Sequence, residues 1–240
     1  PPLLADLPVT PNADRAKLRA LLAQDLAGTP SLRGDTYWLG KQLGKWASLL
    51  GLAEQLGDAP AAAECERRLK TSLENFLTAT VDGRPKKAGE GVFVYEPRWG
   101  TLIGYPASFG SDVELNDHHF HYGYFIRAAA EVCRVDKAFC GPDQYGQMFE
   151  LLIRDYAGGK NDPMFPYLRN FDPANGFSWA SGHANFARGN NNESTSEAAN
   201  AYGAMVLYGL VTGNDDIMER GMYLHASTSA TYWEYWNDID

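Results

Sequence analysis

Apolar residues recur at helical spacing through most of the chain. After a start carrying four prolines in residues 1–11, Asn12 is placed to cap a helix whose apolar positions are Leu18, Leu21, Leu22 and Leu26. A second stripe, Leu39, Leu43, Trp46, Leu49, Leu50 and Ala53, predicts a helix over 37–57. A third, Ala63, Leu69, Leu73, Phe76 and Leu77, predicts one over 60–79. Only Gly57-Asp58-Ala59-Pro60 separates these two, so they should form an antiparallel hairpin. Over 81–115 the period changes from helical to alternating. Val92-Phe93-Val94-Tyr95 and Thr101-Leu102-Ile103-Gly104-Tyr105 predict short strands in a loop-rich, aromatic insertion. Helical periodicity returns over 117–135, 143–156, 192–211 and 215–236, making seven predicted helices. Between them, residues 157–191 form a long segment rich in Asn, Gly and aromatic residues. Loops of such length are usually functional when ordered, and the aromatic content favours order.

Helical hairpins with long aromatic loops predict a mainly α fold, part of an α/α toroid in which inner helices line a funnel beneath the loops. Seven helices fall short of six hairpins, so the chain is expected to be one part of a larger toroidal domain. Composition is consistent with a single core: 45% of the 240 residues are hydrophobic and 21% charged. Thirty acidic against 21 basic residues give a net charge of −9 with no Lys/Arg-rich run, which argues against nucleic acid or an anionic membrane as partner. The longest apolar stretch, near 201–211, is well short of the roughly 20 residues a membrane span needs. The sequence opens Pro1-Pro2-Leu3 and contains no basic-then-apolar leader, so the compartment has to be argued otherwise. Cys65, Cys133 and Cys140 contain no C-x-x-C pair, which removes zinc ribbons and thioredoxin-type motifs. Cys133 and Cys140 are either bridged, as suits an exported protein, or buried free thiols.

Two polar clusters offer chemistry. Asn116-Asp117-His118-His119-Phe120-His121-Tyr122 sits at a predicted helix start. Its histidines could ligate a metal, but the spacing is not H-E-x-x-H and no further ligand group is evident. The same residues could wall a sugar cleft or simply cap and pack a helix. The second cluster, Arg188-Gly189-Asn190-Asn191-Asn192-Glu193-Ser194-Thr195-Ser196-Glu197, precedes an apolar helix. If Asn190–Asn192 cap that helix, Glu193 lies in its first turn, where the dipole favours an ionised base, and Glu197 shares its face. Ordinary capping chemistry would produce much of the same pattern. Together the clusters supply two separated carboxylate sites beside Trp, Tyr, Asn and His, the inventory of a glycosidase.

The series Gly100-Thr101-Leu102-Ile103-Gly104-Tyr105-Pro106, Ser108-Phe109-Gly110-Ser111-Asp112, Glu114-Leu115-Asn116-Asp117-His118-His119-Phe120-His121-Tyr122-Gly123-Tyr124, Ser178-Trp179-Ala180-Ser181-Gly182 and Gly189-Asn190-Asn191-Asn192-Glu193-Ser194-Thr195-Ser196-Glu197-Ala198 resembles glycoside hydrolase family 81. The resemblance is dense over 95–202. It implies inverting endo-hydrolysis of β-1,3-glucan outside the cell by a secreted monomer that needs no cofactor or metal. Asp117 would be the general acid, Glu193 the general base and Glu197 a supporting carboxylate. His121 and Tyr122 would line the site, with Tyr105, His119, Trp179 and Asn192 as further substrate contacts. It also implies a β-sandwich domain before the toroid and helices after it, neither of which lies in this sequence. A helix start favours ionised Asp117, so an acid there requires burial or a nearby carboxylate to raise its pKa.

Overall fold

The computed structural model describes residues 8–28, 31, 33–183, 187 and 189–237. Arg188 and residues 1–7 of the proline-rich start therefore lie outside the described residues. The sequence stripes become seven α-helices among the described residues: α1 (Arg15–Ala27), α2 (Trp38–Leu56), α3 (Ala59–Leu77), α4 (His118–Val135), α5 (Gly146–Ala157), α6 (Thr195–Thr212) and α7 (Asp215–Thr231). A π-helical turn, Tyr232–Trp236, continues from α7. Three small antiparallel hairpins lie between helices: β1 (Thr80–Val81) with β2 (Arg84–Pro85), β3 (Val92–Glu96) with β4 (Thr101–Tyr105), and β5 (Phe171–Asp172) with β6 (Phe177–Ser178).

Helix ends follow local chemistry. Asp14, rather than Asn12, caps α1, its carboxylate accepting from the Lys17 N–H at 2.9 Å. Gly57 takes a left-handed conformation (φ 68°) and donates back to the last turn of α2. Asp58 then caps α3 through the Ala61 N–H, with Pro60 in the first turn. The same device recurs where Gly213 (φ 73°) ends α6 and Asn214 caps α7. Two-residue connections force α2/α3 and α6/α7 to run antiparallel.

α2, α4 and α6 lie side by side, with α4 in the middle and buried almost all round. Their first turns are at the same end. A Cβ on Gly40 would sit 3.3 Å from the His121 carbonyl oxygen, and one on Gly123 would sit 2.5 Å from the Ala201 Cβ. The three helices are therefore parallel, and α3, α5 and α7 return the chain against them, the two-layer arrangement of an α/α toroid. The β3–β4 hairpin packs into this core through Phe93, whose ring lies 5.4 Å from Phe76, 5.3 Å from Tyr122 and 5.5 Å from Phe125. Cys133 and Cys140 are bridged, with Cα atoms 5.6 Å apart, tying the end of α4 to the turn before α5. Cys65 is a buried free thiol. No helix among the described residues is long and apolar enough to cross a membrane.

Candidate active site

Because α2, α4 and α6 are parallel, three helix N-termini with their exposed N–H groups converge at one end of the molecule. The cap positions there are Tyr37, Asp117 and Ser194. Over them lies a cleft of about 750 Å³ whose lining includes Phe109, Asn116, Asp117, Ser181, Asn191 and Glu193. The long loop between α5 and α6 forms one wall. Ala180 holds it to α4 by accepting the Asp117 N–H at 2.9 Å, and to the approach to α6 by donating to the Asn191 carbonyl at 3.0 Å. Gly182 lies against the Glu114 and Leu115 backbone, leaving no room for a side chain.

Asp117 stands at the N-cap of α4 in the left-handed conformation (φ 61°), and its side chain makes no capping bond. Instead its Oδ2 accepts from Asn116 Nδ2 at 2.7 Å and the carboxyl faces the cleft. Burial pushes it up from 3.8 to about 6. The Asn116 hydrogen bond and His118 pull the other way, while the negative charges of Glu193 and Glu197 add to the rise. The two causes a general acid at a helix start requires, burial and neighbouring carboxylates, are thus both present.

Glu193 is placed differently from expectation. α6 begins at Thr195, so Glu193 lies on the loop before the cap and not in the first helical turn, and it shares no helix face with Glu197. Asn190–Asn192 do not cap the helix. Ser194 occupies that position with φ 51°, a conformation that ends regular chain direction and turns Glu193 away from α6. Glu193 is exposed, lines the cleft and accepts from Asn191 Nδ2 at 3.1 Å. Glu197, in the first turn of α6, is surrounded by donors: Tyr124 Oη at 2.8 Å, Ser194 Oγ at 2.6 Å and the Lys41 ammonium at 3.8 Å. Tyr37 faces it too. Burial, a hydrogen bond to Glu197 and the charges of Glu197, Asp117 and Glu193 push that phenol up to about 12. Tyr37, Lys41 and Tyr124 were not singled out as site residues from sequence. Lys41 and Tyr37 are one helical turn apart, but nothing local relates them to Glu197 on another helix.

The expected substrate contacts divide. His119 and Tyr122 are corrected to core residues. His119 is completely buried against Phe120, and Tyr122 is buried with its hydroxyl donating to the Leu102 carbonyl at 2.8 Å. His121 is also buried. Its Nδ1 lies 2.8 Å from Thr36 Oγ1, its ring packs 5.2 Å from Tyr37, and burial holds it down to about 3, so it is neutral and supports Tyr37 from behind. Tyr105 and Trp179 are half-buried and not among the residues lining this cleft. Asn192 braces the chain: with its amide turned to suit both neighbours, it donates to the Ser178 carbonyl at 2.7 Å and accepts from the Trp236 indole at 2.9 Å. The histidines that could have shared a metal face different neighbours, and among the described residues no three His, Cys, Asp or Glu side chains converge as a ligand set.

The family profile of the glycosyl hydrolase family 81 C-terminal domain matches residues 12–239. A glucan endo-1,3-beta-D-glucosidase of Acetivibrio thermocellus is 47% identical over 239 residues, covering 99% of this chain and 30% of its own. One of Thermobifida fusca is 42% identical over 241 residues, covering 99% and 31%. A primary septum glucan endo-1,3-beta-D-glucosidase of Schizosaccharomyces pombe is 32% identical over 208 residues, covering 83% and 20%. The solved structure of a glycoside hydrolase family 81 protein from Clostridium thermocellum superposes with a TM-score of 0.90 at 47% identity, over 98% of this chain and 32% of that one. The chain thus spans about a third of the length, or less, of the relatives it matches.

Proposed function

Because the chain belongs to glycoside hydrolase family 81, matching its C-terminal domain, we propose that it carries the acid and base of an endo-β-1,3-glucanase that inverts the anomeric centre. The observation that carries this reading is the pair Asp117 and Glu193, one carboxyl half-buried and raised to about 6, the other exposed on the same cleft. Unequal environments assign unequal roles. Asp117, raised to about 6, keeps its proton well above the ordinary carboxylate range and delivers it to the glycosidic oxygen as the C–O bond breaks. Glu193 takes a proton from water as the water oxygen bonds to the anomeric carbon from the opposite face. Glu197, held by donors from α2, α4 and its own helix cap, is a fixed negative charge beside these groups.

The convergence of three helix N-termini supports the same assignment. Asp117 stands at one of these ends, yet burial, with the charges of Glu193 and Glu197 added, raises its carboxyl against the pull of the helix. The names of the relatives support β-1,3-glucan as substrate. A polymeric glucan substrate supports a reaction outside the cell, and the Cys133–Cys140 bridge suits that compartment. The chain is read as one part of a toroidal catalytic domain.

The test is proton NMR of laminarin digestion, following the anomeric signal of the earliest product. The α-anomer is expected from inversion. A β-anomer would require a nucleophile and a rebuilt assignment. Glucan retention without product would mean that this chain binds but does not cleave.

A further inference from the structure

Behind Asp117 lies a charged pair that the proposed chemistry does not use. His118 is fully buried, with Nδ1 2.7 Å from Asp155 Oδ2 and Nε2 3.0 Å from the Ser111 carbonyl oxygen. A carboxylate and a carbonyl only accept, so a ring that satisfies both must donate from both nitrogens, which is the imidazolium. Asp155, on α5, is equally buried, and its Oδ1 accepts from the Thr101 hydroxyl and the Leu102 N–H, each at 2.8 Å. The Arg169 guanidinium stands 3.7 Å away. Burial pushes the Asp155 carboxyl up, but His118, Arg169 and the Leu102 N–H outweigh it and hold the group below its ordinary value.

The pair is joined directly to the strained residue of the site. A non-glycine residue in the left-handed region costs on the order of 1 kcal/mol and persists only where its surroundings over-determine it. Asp117 is fixed from both sides. Asn116 donates to the Phe109 carbonyl and to Asp117 itself, while His118 is anchored at once to α5 and to the turn at Ser111. We infer that the His118–Asp155 ion pair is a positioning device for Asp117, locking its backbone and setting a positive charge beside its carboxyl.

This inference rests on the reading of Asp117 as the acid. The groups facing Asp117 are Glu193 and Glu197 from the α6 side, Tyr37 from α2, and Asn116 and His118 from its own segment. Those facing His118 are Asp155 of α5, Thr101 of β4, and Tyr122, whose ring is 4.8 Å away on the same helix, while Arg169 of the long loop stands against the far oxygen of Asp155. His119 and His121 on that helix are neutral, burial holding both down to about 3. His118 is therefore the positive charge among the histidines of the α4 first turn, and it opposes the rise of the Asp117 carboxyl.

Three measurements on the whole chain test the pair. Nitrogen-15 NMR of the unaltered protein should show the His118 ring donating from both nitrogens, to Asp155 and to the Ser111 carbonyl. Carbon-13 NMR of the Asp117 carboxyl should give a midpoint that moves up by roughly half a pH unit in His118→Gln and in Asp155→Asn, since either change removes the ring charge. The alkaline limb of kcat/KM on laminarin should move the same way, with kcat about tenfold lower and KM within about twofold. A singly protonated His118 ring at neutral pH would overturn the inference, as would variants that fold, lose activity equally at every pH and leave the Asp117 midpoint in place. If the unaltered chain releases no product, the glucanase reading falls by itself, and the two NMR measurements still decide the pair.

Discussion

Asp117 illustrates how a site residue can be costly to the fold that holds it. Its carboxyl is raised from 3.8 to about 6, first by burial, so the folded protein binds that proton more tightly than the unfolded chain does. A raised carboxyl contributes stability that is present below the unfolded value and lost as pH rises through the folded one. Asp117→Asn should therefore be more stable than the parent above about pH 6, by on the order of 1 kcal/mol after allowing for the open side of the cleft, with the gain vanishing toward pH 4. Asn also tolerates the left-handed conformation. Urea melts of parent and variant at the two pH values check this, and the same variant should lose about 10²- to 10⁴-fold in glucan hydrolysis. Activity of the parent should fall on the alkaline side as Asp117 loses its proton, with a limb that starts from about 6 in the free protein and shifts with bound glucan. A limb unchanged in Asp117→Asn would assign it to another group. By contrast, Glu193→Gln should abolish turnover while leaving the stability of the fold nearly untouched, because the side chain is exposed and bonded only to Asn191 among the contacts described.

At the scale of elements, the site depends on how closely α2, α4 and α6 approach. Gly123 on α4 is the sharpest instance. A Cβ there would lie 2.5 Å from the Ala201 Cβ and 2.7 Å from its Cα, so Gly123→Ala must push α6 away despite the better helix propensity of alanine. The expected loss is about 1–3 kcal/mol by chemical denaturation, with a larger effect on turnover than a remote substitution of equal cost, because the α4–α6 spacing sets where Asp117 and Glu193 stand. Unchanged stability would show that α6 is free to shift. The helix ends were legible from sequence where a short-range rule applied, as at Gly57-Asp58 and Gly213-Asn214. The start of α6 was not. Asn190–Asn192 have the right side chains for a cap, but Asn191 is drawn into bonds with Ser181 and Glu193, and Asn192 toward Ser178 and Trp236. Tertiary partners outbid the local preference.

In the whole molecule one core supports both the helices and the hairpin that carries Leu102 toward the site. Phe125 is completely buried, with its ring 5.2 Å from Phe76 of α3 and 5.5 Å from Phe93 of β3. Phe125→Ala should cost about 3–5 kcal/mol in a denaturant titration, and a loss under 1 kcal/mol would mean the three elements are not jointly packed. The helical stripes and the strand alternation were readable from the chain itself, because periodicity is a local property, and Asp117, Glu193 and Glu197 stood out there as carboxylates in polar clusters, though not with the helix placement Glu193 takes. What the sequence could not decide was which polar residues face the cleft and which face the core. His118, His119 and His121 sit within a single helical turn, yet one is locked to Asp155, one packs against Phe120 with no hydrogen-bond partner among the described residues and one supports Tyr37. Their roles are set by neighbours 37 to 85 positions away in the chain, brought close only when α2, α4 and α5 pack. The raised pKa of Asp117 has the same origin. Residue type supplied the carboxyl, and desolvation, which exists only in the folded protein, determined its proton.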